Sequence, residues 1–122
     1  MRESRLWFLF VLAGACMIVL LGAHLFVMHL ETFMGYLGIT IHEPLAYAEV
    51  MARAKSVSWL VIYMALLILA LYHGLYGVRS VLLETINMKH HSTVTAVIVI
   101  VGLIAAVFGS YIVIQSYMMG GL

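Results

Sequence analysis

Charged positions divide the chain into three long apolar runs. Leu6 to Leu30 is 25 residues without Asp, Glu, Lys or Arg, Ser56 to Val78 is 23, and His90 to Leu122 is 33, of which Val94 to Met118 is the apolar part. A helix needs about 20 apolar residues to cross the roughly 30 Å hydrocarbon core of a bilayer. Inside lipid the backbone must satisfy its own hydrogen bonds, so such runs are helices. The pattern predicts an all-α membrane protein, a single domain over 1–122 with three transmembrane helices at about 6–30, 56–79 and 94–118. Trp7 and Trp59 stand near the starts of the first two spans, where amphipathic rings favour the interface. The first connection runs from Glu31 to Lys55. Its second half, Glu43 to Lys55, lacks glycine and carries Pro44 near its start. That predicts a short interfacial helix between the first and second spans, with Pro44 in its first turn. The second connection, Arg79 to Thr93, is short. In the third span Gly102, Ala105, Ala106 and Gly109 are small residues that let helices approach closely.

Composition narrows the class. The chain is 66% hydrophobic and 9% charged, against about half and a quarter in a soluble domain. So short a chain leaves too much surface exposed to hide that apolar content, which excludes a soluble monomer. A net charge of +1 gives no basic field to hold nucleic acid. One cysteine excludes an intrachain disulfide framework and a cysteine-based zinc site. Arg2, Arg5, Arg79 and Lys89 fall on one side of the membrane and Arg53 and Lys55 on the other. That excess predicts a multi-pass protein of the cell inner (cytoplasmic) membrane with a cytoplasmic N-terminus. The basic start, apolar run and small residues before Cys16 also resemble a lipoprotein signal. However, Ala13 stands where leucine is usual, and the apolar run continues for 14 residues past the cysteine, which is long for a signal peptide.

Six histidines stand out in so apolar a chain. His42, His90 and His91 belong to the connections and read as solvated residues. His24, His29 and His73 fall within the spans, where ionisable groups are costly and mark function. His24 lies six residues beyond the middle of the first run and His73 six beyond the middle of the second. The helices run in opposite directions, so the two imidazoles lie about 9 Å to either side of the midplane. They cannot share one metal, but they suit two redox centres, one per leaflet. Haem is the natural candidate, since imidazole is a standard axial ligand. One histidine at each depth means that the opposite ligands come from another chain. Gly22, Gly74 and Gly77 would let a flat macrocycle approach the backbone. Arg79, at the cytoplasmic edge, fits either a haem propionate or a positive-inside anchor. The plainer reading of each buried histidine is a hydrogen bond to a neighbouring helix. His29 is about 140° round the helix from His24 and cannot face the same haem. It reads as an interfacial residue or a quinone contact.

The stretch from His73 to Glu84, with Gly77 four residues after the histidine, Arg79 six after and Glu84 eleven after, resembles the second-helix signature of cytochrome b anchor subunits of succinate dehydrogenases and fumarate reductases. Gly22-Ala-His24-Leu-Phe-Val-Met28 is similar to a histidine-bearing helix of their dihaem members. The resemblance covers the first two spans. It implies one subunit of a split, dihaem anchor, sharing two b haems with a second membrane-anchor subunit through His24 and His73. It implies a flavoprotein subunit that interconverts succinate and fumarate, and an iron–sulfur subunit that exchanges electrons with the anchor. It further implies a quinone, menaquinone or another, near the outer haem. Thr85 stands where some single-haem relatives carry a quinone-binding tyrosine, which disfavours a cytoplasm-side site of that type.

Glu31, Glu43 and Glu49 are available for proton exchange on the outer side, with Glu31 directly after the first span. Each also reads as a solvated carboxylate. Glu84 suits docking of the iron–sulfur subunit. Tyr111, Gln115 and Tyr117 could line a quinone pocket or form an interfacial belt. The chain has no nucleophile–base constellation, so it is not catalytic by itself. The alternative is a haem-free or single-haem structural anchor of a multisubunit dehydrogenase. A small transporter would need a charged coupling residue in its spans, and apart from histidine they hold none.

Overall fold

The computed structural model describes residues 2–41 and 43–120; His42 lies outside them. Five helices follow in order: α1 Arg2–Met28, α2 Leu30–Tyr36, α3 Tyr47–Ala54, α4 Val57–Thr85 and α5 His91–Gly120, with a 3₁₀ turn at Met88–His90. No strand occurs among the described residues. α1, α4 and α5 are each apolar and long enough to cross a membrane.

α4 is the middle helix and packs on both α1 and α5. The packing is thin. Ala13, at 4% exposure, is the one buried hydrophobic residue among those described, while Ile18 is 77% and Val107 72% exposed. An apolar surface of this kind is stable against lipid, where exposure of aliphatic side chains carries no penalty. Close packing appears only along seams. On α5, Gly102 makes room for Leu75 of α4 and Gly109 for Leu67. A Cβ at either glycine would lie 2.7 Å or 2.8 Å from the leucine Cδ1. Gly102 and Gly109 therefore serve packing within this chain. On the other side of α4, the Tyr72 hydroxyl donates to the Leu6 carbonyl at 2.9 Å.

The predicted spans are extended and trimmed at their ends. α1 stops at Met28 rather than Leu30, with a one-residue break at His29. Ladder bonds continue across it, from His29 N to Leu25 O and from Phe33 N to His29 O. α2 therefore prolongs the first span, an element the sequence reading did not expect. It closes on Gly38 at φ +73°. There Ile39 N bonds to Met34 O and Gly38 N to Gly35 O, the Schellman arrangement that glycine permits.

The interfacial helix is present as α3, but it begins at Tyr47, so Pro44 is not in its first turn. Pro44 instead sits second in a turn closed by Ala46 N to Glu43 O at 3.0 Å, a position its fixed φ favours. The Arg53 side chain donates to the Pro44 carbonyl. That bond folds α3 back beside the turn, against α4 and α5. α4 runs six residues past Arg79 because Ser80–Thr85 contains no helix breaker. The second connection is thereby reduced to residues 86–90.

Candidate functional site

His73 is held by α1. Its Nδ1 lies 3.0 Å from the Phe10 carbonyl oxygen. Its ring stacks on the Phe10 ring at a centroid distance of 4.3 Å and an angle of 5°. Gly14 supplies the space for it, since a Cβ there would lie 2.7 Å from Cε1 of His73. The arrangement is reciprocal. Phe10 and Gly14 are four apart on α1, and His73 and Gly77 four apart on α4, so each pair shares a helix face. The histidine fills the notch at Gly14, and Phe10 covers Gly77, whose Cβ position is 3.4 Å from Phe10 Cε2. The room expected at Gly77 for a macrocycle is thus taken by Phe10. Gly74 remains open, with nothing within 4 Å of its Cβ position. A groove of about 420 Å³ opens beside the ring, walled by Val78 and Val81.

A carbonyl only accepts hydrogen bonds, so the bond to Phe10 assigns the proton to Nδ1 and leaves a lone pair on Nε2. Ligand histidines are commonly oriented by such a bond from their second nitrogen. The arrangement fits axial ligation through Nε2.

His24 meets Tyr63 edge-on, at a centroid distance of 5.6 Å and 81°. Its Nδ1 is buried without a hydrogen-bond partner, a condition that costs about 1–3 kcal/mol. That open demand fits a site completed by a group from outside the chain. The space at Gly22 is free. His24 lies level with Tyr63, and Phe10 with His73. Ten residues of α4 and fourteen of α1 separate those levels, about 15–21 Å at 1.5 Å per residue. The two imidazoles therefore occupy separate depths, and no cluster of three or more His, Cys, Asp or Glu is found among the described residues.

Arg79 does not join His73. Six residues of helix set it about 120° round from His73, on the face of α4 that meets α5. There its Nε donates to Thr95 Oγ1 at 3.1 Å. His29 and Glu31 are exposed at the junction of α1 and α2. Glu31 stands in the first turn of α2, where the helix dipole favours a carboxylate. Glu43 and Glu84 are exposed and Glu49 half-buried. His91 differs from its expected place in a solvated loop. It opens α5 half-buried, with Nε2 3.2 Å from the Ile86 carbonyl. Phe10, Gly14 and Tyr63 were not singled out by the sequence. Their signal is the register between helices, which the periodicity of one helix does not carry.

The sequence model of the family described as "Succinate dehydrogenase/Fumarate reductase transmembrane subunit" matches residues 2–110. A succinate dehydrogenase hydrophobic membrane anchor subunit from Archaeoglobus fulgidus is 31% identical over 111 residues, covering 90% of this chain and 87% of that relative. No solved structure gives a significant match.

Proposed function

This chain belongs to the family of succinate dehydrogenase/fumarate reductase transmembrane subunits, and from that premise we propose that it is one half of a two-chain anchor sharing two b haems with a second membrane-anchor subunit. The observation that carries the reading is the pair of intramembrane imidazoles, His24 on α1 and His73 on α4, held at separate depths about 15–21 Å apart. One has its tautomer set by the Phe10 carbonyl, and the other has an unpartnered nitrogen. His73 would hold one iron through Nε2 and His24 the other, with the opposite ligands supplied by the second anchor chain. When bound, the haems supply reversible one-electron transfer between the iron–sulfur subunit and a quinone. Phe10 and Gly14 fix the plane of the His73 ring, and the apolar walls of the groove exclude water from it.

With the N-terminus in the cytoplasm, His73 serves the inner haem and His24 the outer. The flavoprotein and iron–sulfur subunits dock on the cytoplasmic side, near Glu84. Quinone, menaquinone or another, reacts near the outer haem, with His29 and Glu31 within the same region. Succinate–fumarate chemistry belongs to the flavoprotein, and this chain contributes anchoring and ligands.

The bond between His73 and Phe10 also satisfies the imidazole within the chain, which favours a second reading: a haem-free or single-haem anchor. Dithionite-reduced minus oxidised spectra with a pyridine haemochrome assay on the intact complex separate them. Two b haems per copy of this chain support the dihaem anchor. One or none, in a complex that retains flavin and iron–sulfur centres, selects the second reading.

A further inference from the structure

The groove between α4 and α5 lies on a different face of α4 from the His73 groove and has a different chemistry. It has a volume of about 330 Å³ and is lined mostly by aliphatic side chains, such as Leu67, Leu75 and Leu103, together with Tyr72, Tyr76 and Ser110. Among the described residues its lining holds one cation, Arg79, at one end, and no acidic residue. From Leu67 to Arg79 is twelve residues of α4, about 18 Å. One leaflet of hydrocarbon is about half of 30 Å deep. Residue 67 is the middle of the second apolar run, so the groove spans one leaflet, from the midplane to its polar edge, and Arg79 stands at that edge.

The guanidinium is positioned there. Its Nε bond to Thr95 uses one of five donors and fixes the fork between α4 and α5. Glu84, five residues on, is about 140° round the helix and exposed, so it does not neutralise Arg79 across the groove. Lys89 is exposed in the following turn and adds positive charge on the same side. A groove that takes an alkyl chain along one leaflet and ends in a cation at headgroup level has the form of a phospholipid site, since basic pockets between membrane helices hold anionic headgroups. A quinone tail would leave the cation unmatched, because a quinone carries no anionic group.

We propose that this groove is a structural site for an anionic phospholipid, with one acyl chain lying between α4 and α5 and the phosphate on Arg79. The site does not depend on the haem reading. Planar, bidentate donation to phosphate is a property of arginine that lysine lacks.

The test uses the assembled complex in bilayer discs containing phosphatidylglycerol with a diazirine on one acyl chain, with peptides mapped after irradiation. Labelling is expected within 67–75 and 99–106, several-fold above that given by a phosphatidylcholine probe of the same chain. Arg79→Gln is expected to reduce the label several-fold and Arg79→Lys to restore part of it. Ala106→Phe, which fills the groove and leaves Arg79 in place, is expected to remove the label. If Arg79→Gln fails to assemble, the contrast between the two lipid probes and the Ala106→Phe result decide. Equal labelling by both lipids and insensitivity to Ala106→Phe would overturn the proposal. So would protection of the groove in the complex by a partner helix, or displacement of the probe by long-tailed menaquinone but not by unlabelled phosphatidylglycerol.

Discussion

Gly14 controls His73 more directly than any residue next to the histidine in sequence. A methyl group at Gly14 would meet Cε1 at 2.7 Å, and the ring is pinned by the Phe10 stack and carbonyl. Gly14→Ala must therefore turn the imidazole and lengthen the bond to Phe10, an overpacking change worth about 1–3 kcal/mol. The expected outcome is loss or a changed spectrum of the haem served by His73, with that of His24 retained, read in difference spectra. Phe10→Leu keeps the carbonyl and removes the stacked ring, worth about 0.5–1.5 kcal/mol beyond its area. Its effect on the same band is expected to be the smaller of the two. The histidine stood out in the sequence because it is an ionisable group inside an apolar run. The clamp did not, because Phe10 and Gly14 look like ordinary span residues until α1 is set against α4. Arg79 illustrates the same limit: close in sequence to His73, it is carried by the helical turn to another face.

At the scale of elements, α4 and α5 are joined by leucines in glycine notches. Gly102→Leu and Gly109→Leu each place a branched side chain where Leu75 or Leu67 now sits. Each is expected to part the two helices and lower the thermal stability of the purified complex. Thr93→Leu, exposed at the start of α5, should leave it unchanged. The contrast is measured by a thermal unfolding scan in one detergent. The long helices were legible from charge spacing, but their ends were not. Hydropathy marks where the chain leaves hydrocarbon, whereas α4 continues through Arg79–Thr85 because no residue there breaks a helix. Pro44 was misplaced by one turn for a related reason. The same fixed φ suits a first helical turn and the second position of a tight turn, and the bond from Ala46 to Glu43 selects the latter.

For the whole molecule, three spans with helical connections place α3 on one side of the membrane and the 86–90 turn on the other. On the proposed orientation, which rests on the excess of basic residues on that side, the turn faces the cytoplasm. With Cys16→Ser as background, a cysteine at Tyr47, which is 79% exposed, is expected to react with an impermeant maleimide in intact cells. A cysteine at Ser92 should react only after the cells are opened. The reversed pattern would invert the assignment of inner and outer haems. The thin packing, with Ala13 the one buried hydrophobic residue among those described, also says why function was only half legible. On the proposed reading each haem site is divided between two chains, and this sequence holds one imidazole for each. The most direct measurement is the haem content of His24→Ala and His73→Ala complexes that retain flavin and iron–sulfur centres. The account predicts that each variant loses one b haem and that the two lose different ones, distinguished by their redox titrations. Full haem content in both variants would contradict it.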